Sequence, residues 1–189
     1  MGQKKLKVVA VAGSVNRPSK TWALVEQILH TLAEAHPIQA RVVELGAIAP
    51  HLGSAVYRSH LNAIAEAEIS AIESADMLIV ASPVYRGSYS GLFKHLFDFV
   101  GQDALVDRPV LLAAAGGSQR HSLVIDHQLR PLFSFFRALT LPVGVYAIDA
   151  DFSGYEITDQ ALLDRIALSV EKSFPFLPNR AALPEVIGL

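Results

Sequence analysis

The segment that most restricts the fold of this chain is residues 6–21, LKVVAVAGSVNRPSKT. Its first seven residues are mostly apolar and rich in valine, as in a buried parallel strand, and Gly13 lets the chain turn where that strand ends. Hydroxyl and cationic side chains follow, and apolar residues at helical spacing then begin a helix: Ser14, Arg17, Ser19, Lys20 and Thr21, then Trp22, Val25, Ile28, Leu29 and Leu32. Because helix N-termini favour anions, this loop is predicted to bind a phosphate group.

The alternative is a polar loop and a capped helix that bind no ligand. Two better-known phosphate motifs do not fit. The dinucleotide fingerprint needs three closely spaced glycines, and this loop has only Gly13. A Walker loop needs a glycine directly before its lysine, where this chain has Pro18 and Ser19, and proline lacks an amide N–H. The segment therefore does not indicate an ATP site.

Composition restricts the function classes. With 189 residues, 51% of them hydrophobic, the chain fits one compact domain. A formal net charge of −2 gives no basic surface suited to nucleic acid, and no apolar run reaches membrane-spanning length. There is no cysteine, so redox chemistry would need a bound cofactor. We expect a cytoplasmic protein with neither nucleic acid nor membrane as a partner.

Strand and helix patterns alternate along the chain. Strands are predicted at 6–12, 40–45, 76–82, 109–115 and 142–149, and helices from Trp22 and at 58–74, 92–100, 121–139 and 159–173. Such alternation predicts an α/β fold whose parallel sheet is covered by helices on both faces. Ligands of such sheets bind beyond the carboxyl ends of the strands. Residues 1–175 are assigned to this domain and 176–189 to a C-terminal tail.

Two further loops fall at the same sheet edge. In residues 82–94, SPVYRGSYSGLFK, Pro83 fixes the backbone while Gly87 and Gly91 let it approach a flat ligand. The next strand ends in GGSQRH, residues 116–121, which adds a double glycine and several donors. Separately each is an ordinary turn, and Tyr85 alone is most simply a half-exposed packing residue. Together the three loops predict a phosphate pocket with two backbone walls for a planar heterocycle.

The segments AGSVNRPSKT, ASPVYRGSYSGLFKHLFDFV and AAAGGSQRH, in this order and spacing, resemble the flavodoxin-like NAD(P)H-dependent FMN reductase family. The resemblance spans residues 6–148 and is strongest to the flavin reductases of two-component alkanesulfonate and methanesulfonate monooxygenase systems. It implies a five-stranded parallel sheet of order 2-1-3-4-5 in three layers. It also implies an oxidoreductase that passes a hydride from NADH or NADPH to FMN. Reduced FMN would go to a partner monooxygenase for sulfur assimilation, and the reductase would be a homodimer or homotetramer.

The resemblance also implies which residues bind FMN. They are Ser14, Arg17, Ser19, Lys20 and Thr21 at the phosphate, Pro83, Val84, Tyr85, Arg86 and Gly87 beside the ring, and Gly116, Gly117, Ser118 and Gln119 near its pyrimidine end. No catalytic side chain is implied, because the protein mainly positions two rings for hydride transfer. No metal site is predicted. One departure is Asn16, which stands where many relatives have arginine, so Arg17 beside it is the remaining candidate.

Other functions remain open. An FMN-retaining quinone or azo reductase would share these loops, as would a flavodoxin-like electron carrier or a nucleotide-binding regulatory domain. The sequence also leaves NADH and NADPH undecided. A 2′-phosphate would need a cation, for which Arg86, Lys94 and Arg120 are candidates.

The segment 121–139 contains Pro131, four residues after His127, so its helix is expected to kink or bulge there. The resemblance implies a wide helical turn at a subunit interface, whereas a simple kink facing solvent is the alternative. Its phenylalanines, Phe133, Phe135 and Phe136, predict either a homo-oligomer interface or a fully buried helix.

Overall fold

A computed structural model describes residues 5–177, in which a parallel sheet carries helices on both faces. Its strands are β1 (Leu6–Ala12), β2 (Ile38–Glu44), β3 (Met77–Pro83), β4 (Pro109–Gly116), β5 (Leu139–Thr140) and β6 (Val145–Ile148). The order is β2-β1-β3-β4-β5, with β6 also paired to β4. A separate short hairpin consists of β7 (Phe152–Ser153) and β8 (Glu156–Ile157). The predicted α/β class and strand order are confirmed.

The α-helices in residues 5–177 are α1 (Lys20–Ala35), α2 (Leu45–Leu52), α3 (Ala63–Glu73), α4 (Gly91–Asp98), α5 (Arg130–Phe135) and α6 (Gln160–Glu171). Four of them begin at a capping side chain, whereas α2 and α5 do not. Ser19, Asn62, Ser90 and Asp159 each accept a hydrogen bond from the backbone amide three residues later. Such bonds satisfy amides that have no partner inside the helix. Among the described residues, no helix is both long and apolar enough to cross a membrane.

The sheet separates two hydrophobic clusters, which explains its nearly continuous apolar strands. Along β1, Val8 and Ala10 pack with α1 and α6, whereas Val9 and Val11 pack with α2 to α5 on the other face. Because successive side chains of a strand point to opposite faces, both sets are buried. The three predicted layers are therefore present, and the loops at the carboxyl ends of the strands lie on a rigid base.

Several segments differ from the prediction in detail. The sequence predicted no helix between the strand 40–45 and the helix 58–74, but α2 forms there, with Leu45, Ile48 and Leu52 buried. The predicted helix at 58–74 is a 3₁₀ turn, Arg58–His60, followed by α3, because Asn62 starts a new helix. The tail expected at 176–189 lies almost entirely outside the described residues.

The predicted fifth strand, 142–149, contains β6, whereas β5 precedes that range and begins at the last residue of the predicted helix 121–139. Pro142, between β5 and β6, has no amide N–H for the ladder, and pairing to β4 resumes at Val145. The predicted helix 121–139 is not one continuous α-helix. It contains a π-helical turn, Ile125–Leu129, and then α5. A wide helical turn is thus present at His127, where the proline position predicted a distortion.

Candidate functional site

A cavity of about 360 Å³ lies at the carboxyl ends of the parallel strands. The loops after β1, β3, β4 and β6 surround it, together with the β7–β8 hairpin. The following predicted residues line it: Ser14, Ser19, Lys20, Thr21, Pro83, Val84, Tyr85, Gly116 and Gly117. The remaining predicted residues belong to the same loops but not to the lining: Arg17, Arg86, Gly87, Ser118 and Gln119. The structure therefore brings the three predicted loops to one place.

The first loop is held close to the neighbouring strand. The amide of Gly13 donates to the carbonyl of Ala81 at 2.8 Å, and a Cβ on Gly13 would lie 2.8 Å from that oxygen. Glycine is needed here for space, because no larger residue fits against β3. Ser14 Oγ then accepts from the Asn16 amide at 3.2 Å, which shapes the turn. The loop thus turns directly into the start of α1.

Hydroxyl groups surround the N-terminus of α1. Ser19 Oγ accepts from the Trp22 amide at 3.1 Å, which leaves its own hydrogen available to a ligand. Thr21 lies in the first turn of α1 and is 2% exposed. Free amides, hydroxyls and the positive end of the helix dipole meet here, so this corner of the cavity suits a phosphate.

The two cations of the loop have different surroundings. Arg17 turns away from the cavity, with its guanidinium 2.7 Å from Glu44 Oε1 and 3.8 Å above the centre of the Trp22 ring. Lys20 faces the cavity, and its Nζ lies 2.7 Å from Asp149 Oδ1. Lys20 is therefore the cation that the structure offers to an anion in the cavity.

The second loop forms a two-residue hairpin. Tyr85 and Ser88 exchange backbone hydrogen bonds of 2.8 and 3.1 Å around Arg86 and Gly87. Both central residues have positive φ, 53° and 81°, as in a type I′ turn. Glycine adopts this conformation readily, whereas Arg86 does so at a cost of about 1–2 kcal/mol. The hairpin carries Tyr85, which is 45% exposed, to the cavity edge.

The π-helical turn supports this hairpin. Ser88 Oγ donates to Gln128 Oε1 at 3.0 Å, and Gln128 lies within Ile125–Leu129. A π turn displaces the side chains that follow it, and such turns often occur at functional sites. Here the distortion coincides with a direct link to the second loop, while His127 itself is exposed.

Tyr146 holds the third loop. Its hydroxyl donates to the Ser118 carbonyl at 2.7 Å. A Cβ on Gly116 would lie only 2.3 Å from the Tyr146 hydroxyl oxygen. Glycine at 116 is thus required by the tyrosine behind it. Burial raises the pKa of Tyr146, and the charge of Asp149 raises it further, so the hydroxyl stays protonated and can donate.

Several lining residues lie outside the predicted set: Asn16, Pro18, Ala115, Ile148, Asp149, Phe152 and Tyr155. Ile148 ends the final strand of the sheet, and Asp149, Phe152 and Tyr155 follow it. The rule that ligands bind beyond the carboxyl ends of parallel strands covers that strand as well, so a signal for them existed. The β7–β8 hairpin itself is too short to give a periodic pattern.

The cavity offers binding groups rather than an acid–base pair. One corner has hydroxyls, amides and Lys20, and the walls are formed by Pro83, Val84 and the backbone at Gly116. A phosphate with a planar apolar group attached fits this distribution. Within residues 5–177, no three His, Asp or Glu side chains lie close enough together to bind one metal ion.

Comparison with known proteins agrees with this geometry. The profile of the family described as NADPH-dependent FMN reductase matches residues 6–153. NADH-dependent FMN reductase SfnF of Pseudomonas fluorescens (strain Pf0-1) is 58% identical over 172 residues, covering 91% of this chain and 92% of the relative. FMN reductase (NADPH) of Pseudomonas aeruginosa is 53% identical over 180 residues, with 95% and 97% covered.

Solved structures show the same fold. An oxidoreductase from Corynebacterium diphtheriae superposes with a TM-score of 0.80 at 33% identity, covering 94% of this chain and 100% of the other. The apo form of NADH:FMN oxidoreductase EMOB superposes with a TM-score of 0.83 at 27% identity, covering 94% and 92%.

Proposed function

This chain belongs to the NADPH-dependent FMN reductase family, and on that premise we propose that it reduces FMN with NADH or NADPH and supplies reduced FMN to a partner monooxygenase. The observation that carries the proposal is the cavity itself. Its phosphate corner at α1 and its two backbone walls match the two halves of FMN in one continuous space.

The residues of the cavity position the flavin. Ser14, Ser19, Thr21 and Lys20 would hold the phosphate through hydroxyl and ammonium groups at the start of α1. Residues 83–85 and 116–117 would hold the ring, whose chemistry when bound is to accept a hydride from the nicotinamide. The exposed edge at Tyr85 leaves room for that second ring to stack. Hydride transfer then depends on positioning by the loops, without a side-chain acid or base.

The reductant and the final use of the flavin are separate parts of the proposal. One relative is named for NADH and another for NADPH, so the proposal includes both as hydride donors. The resemblance to sulfonate systems supports a monooxygenase that desulfonates alkanesulfonates in sulfur assimilation. We place the reaction in the cytoplasm, where reduced nicotinamides are used.

A second copy of the chain is the proposed partner at α5. On α5, Phe135 is 63% exposed although Phe133 is fully buried, and Leu123, before the π-helical turn, is 61% exposed. Phe135 also lines a groove of about 500 Å³ together with Tyr89 and Leu132. Exposed apolar surface of this kind favours a homodimer or homotetramer. Light scattering that shows only monomer at micromolar protein would contradict this part.

Steady-state oxidation of NADH and of NADPH tests the main proposal. Turnover should require added FMN and should rise with its concentration until it saturates. An added quinone should not replace FMN. Protein that retains flavin through gel filtration and turns over only with quinone would instead indicate an FMN-retaining quinone reductase. Coupling to an FMNH2-dependent alkanesulfonate monooxygenase, measured as sulfite release, tests the supply of reduced flavin.

A further inference from the structure

Lys20 is shared between the phosphate corner and a carboxylate. Its Nζ lies 2.7 Å from Asp149 Oδ1 and 3.4 Å from the Asp149 carbonyl oxygen. The lysine side chain is 29% exposed, so water screens this pair only in part. The ion pair joins the first loop to the turn Asp149–Asp151, across the cavity edge.

The turn does not need the Asp149 carboxylate for its own structure. Asp151 supplies the local hydrogen bonds, since its Oδ2 accepts from the Ile148 amide at 2.7 Å and its carbonyl accepts from the Thr158 amide at 2.9 Å. Within residues 5–177, the group that donates a hydrogen bond to the Asp149 carboxylate is the Lys20 ammonium. The Asp149 side chain is 65% exposed, so it contributes little to packing.

Asp149 also stands over the opposite wall of the cavity. Its Oδ2 would lie 3.7 Å from a Cβ on Gly117, and both residues line the same space. The charge of Asp149 also acts on Tyr146, because it raises the pKa of that hydroxyl in addition to the effect of burial. A bound phosphate at α1 would therefore meet a fixed negative charge beside its own cation.

From this arrangement, and on the basis of the proposed function, we propose that Asp149 competes with the FMN phosphate for Lys20 and thereby keeps FMN exchangeable. A flavin that serves as a substrate has to leave after each reduction. Competition for the cation weakens the phosphate contact without removing the groups that recognise it. Asp149 is thus a specificity-determining residue that separates a flavin reductase from a protein that retains its flavin.

The variant Asp149→Asn tests this inference, because it removes the charge and keeps the side-chain size. FMN binding is measured by quenching of flavin fluorescence, and FMN dissociation by stopped-flow displacement. The Kd for FMN should fall by about 5- to 20-fold, with slower dissociation, as expected when one like charge leaves a partly exposed anion site. The Kd for riboflavin, which lacks the phosphate, should change less than about twofold.

Two comparisons make the test specific. Glu156→Gln removes an exposed charge from β8, outside the cavity lining, and should leave both Kd values within about twofold. In a Lys20→Ala background, Asp149→Asn should lose most of its effect. Tighter binding of both flavins, or FMN binding that Asp149→Asn leaves unchanged or weakens, would overturn the inference. A wild-type protein that binds neither flavin would overturn the proposed function, and this inference with it.

Discussion

At the scale of single residues, Lys20 is the proposed cation for the FMN phosphate. It occupies the first helical position of α1, next to the capping Ser19, so its ammonium group adds to the amides and the dipole of the same helix end. Lys20→Ala should weaken FMN binding by about 1–3 kcal/mol, which is the usual contribution of a charge-assisted hydrogen bond. Fluorescence titration gives the Kd directly.

Riboflavin is the ligand control for Lys20→Ala, because its affinity should hardly change. Lys172→Ala is the matched protein control, since Lys172 is a solvent-exposed cation just after α6 and pairs with Glu171. It should leave both affinities unaltered. An equal loss of FMN and riboflavin binding in Lys20→Ala would show that the lysine maintains the loop rather than the phosphate contact.

Gly116 is fixed by the tyrosine behind it. A Cβ at this position would lie 2.3 Å from the Tyr146 hydroxyl and 3.2 Å from Cζ of the ring. Gly116→Ala should therefore shift the third loop, lower the free energy of unfolding by about 1–3 kcal/mol, and weaken FMN binding. Tyr146→Phe in the same chain should restore part of both losses, because it removes the nearest clashing atom.

Gly117→Ala is the matched control for that prediction. Its Cβ would have its nearest neighbour, Asp149 Oδ2, at 3.7 Å, an ordinary van der Waals distance. Chemical denaturation should show a change within about 0.5 kcal/mol. If Gly117→Ala destabilises as much as Gly116→Ala, the third loop tolerates no Cβ at either position, and the Tyr146 contact is not the specific cause.

At the scale of elements, the second loop and the π-helical turn act as a pair through Ser88 and Gln128. Ser88→Ala and Gln128→Leu should each weaken FMN binding, and the double variant should be little worse than either one. The expected coupling energy is about 0.5–1.5 kcal/mol, as for one partly buried hydrogen bond. A double-mutant cycle on the FMN Kd measures it, and strictly additive effects would show that the turn and the loop are independent.

Elements with strong local signals were predictable from the sequence. The apolar run of β1 defined a buried strand, and Ser19 and Asp159 each stood next to the helix that they cap. The helix α2 was not predicted, since it is short and contains Pro50, and its stability depends on the burial of Leu45, Ile48 and Leu52. Pro131 indicated the distortion at His127, but the hydrogen bond from Ser88 to Gln128 depends on tertiary contact.

The candidate site was predictable where its loops follow strands with strong local signals. Three loops were identified because each follows a recognisable strand end. Asp149 and Tyr155 were missed although the predicted strand 142–149 ends at Asp149, since the hairpin that follows has two-residue strands and gives no periodic pattern. The direction of Arg17 was also beyond the sequence, because Glu44 and Trp22 determine it from other elements.

At the scale of the whole molecule, one ion network joins the helices on the face opposite to α1. Arg58 Nη2 lies 2.6 Å from Glu66 Oε1 and 2.9 Å from Glu73 Oε2, and Glu73 Oε1 accepts from the Gly101 amide at 2.8 Å. The network thus connects the turn before α3, α3 itself and the segment after α4. Its bonds cross between elements that are distant in sequence, so it contributes to the cooperativity of the fold.

The two carboxylates give this network a defined pH dependence. Hydrogen bonds from Arg58 lower the pKa of Glu66. Burial raises the pKa of Glu73, but bonds from Arg58 and the Gly101 amide outweigh it, so the net shift is downward. A carboxyl whose folded-state pKa is lowered stabilises the protein above its unfolded-state pKa. That contribution is lost as the pH falls through the folded-state value.

Glu73→Gln tests this consequence. The variant should be less stable than the wild type by about 1–2 kcal/mol at neutral pH, because Glu73 is mostly buried and makes three bonds in the network. Since protonation removes the same charge from the wild type, the difference should shrink as the pH falls from neutral through the lowered folded-state pKa of Glu73. Urea denaturation across this range measures it. Glu26→Gln, an exposed change on α1, should give a small difference at every pH. A Glu73→Gln deficit that stays constant with pH would mean that packing, and not the ion network, is responsible.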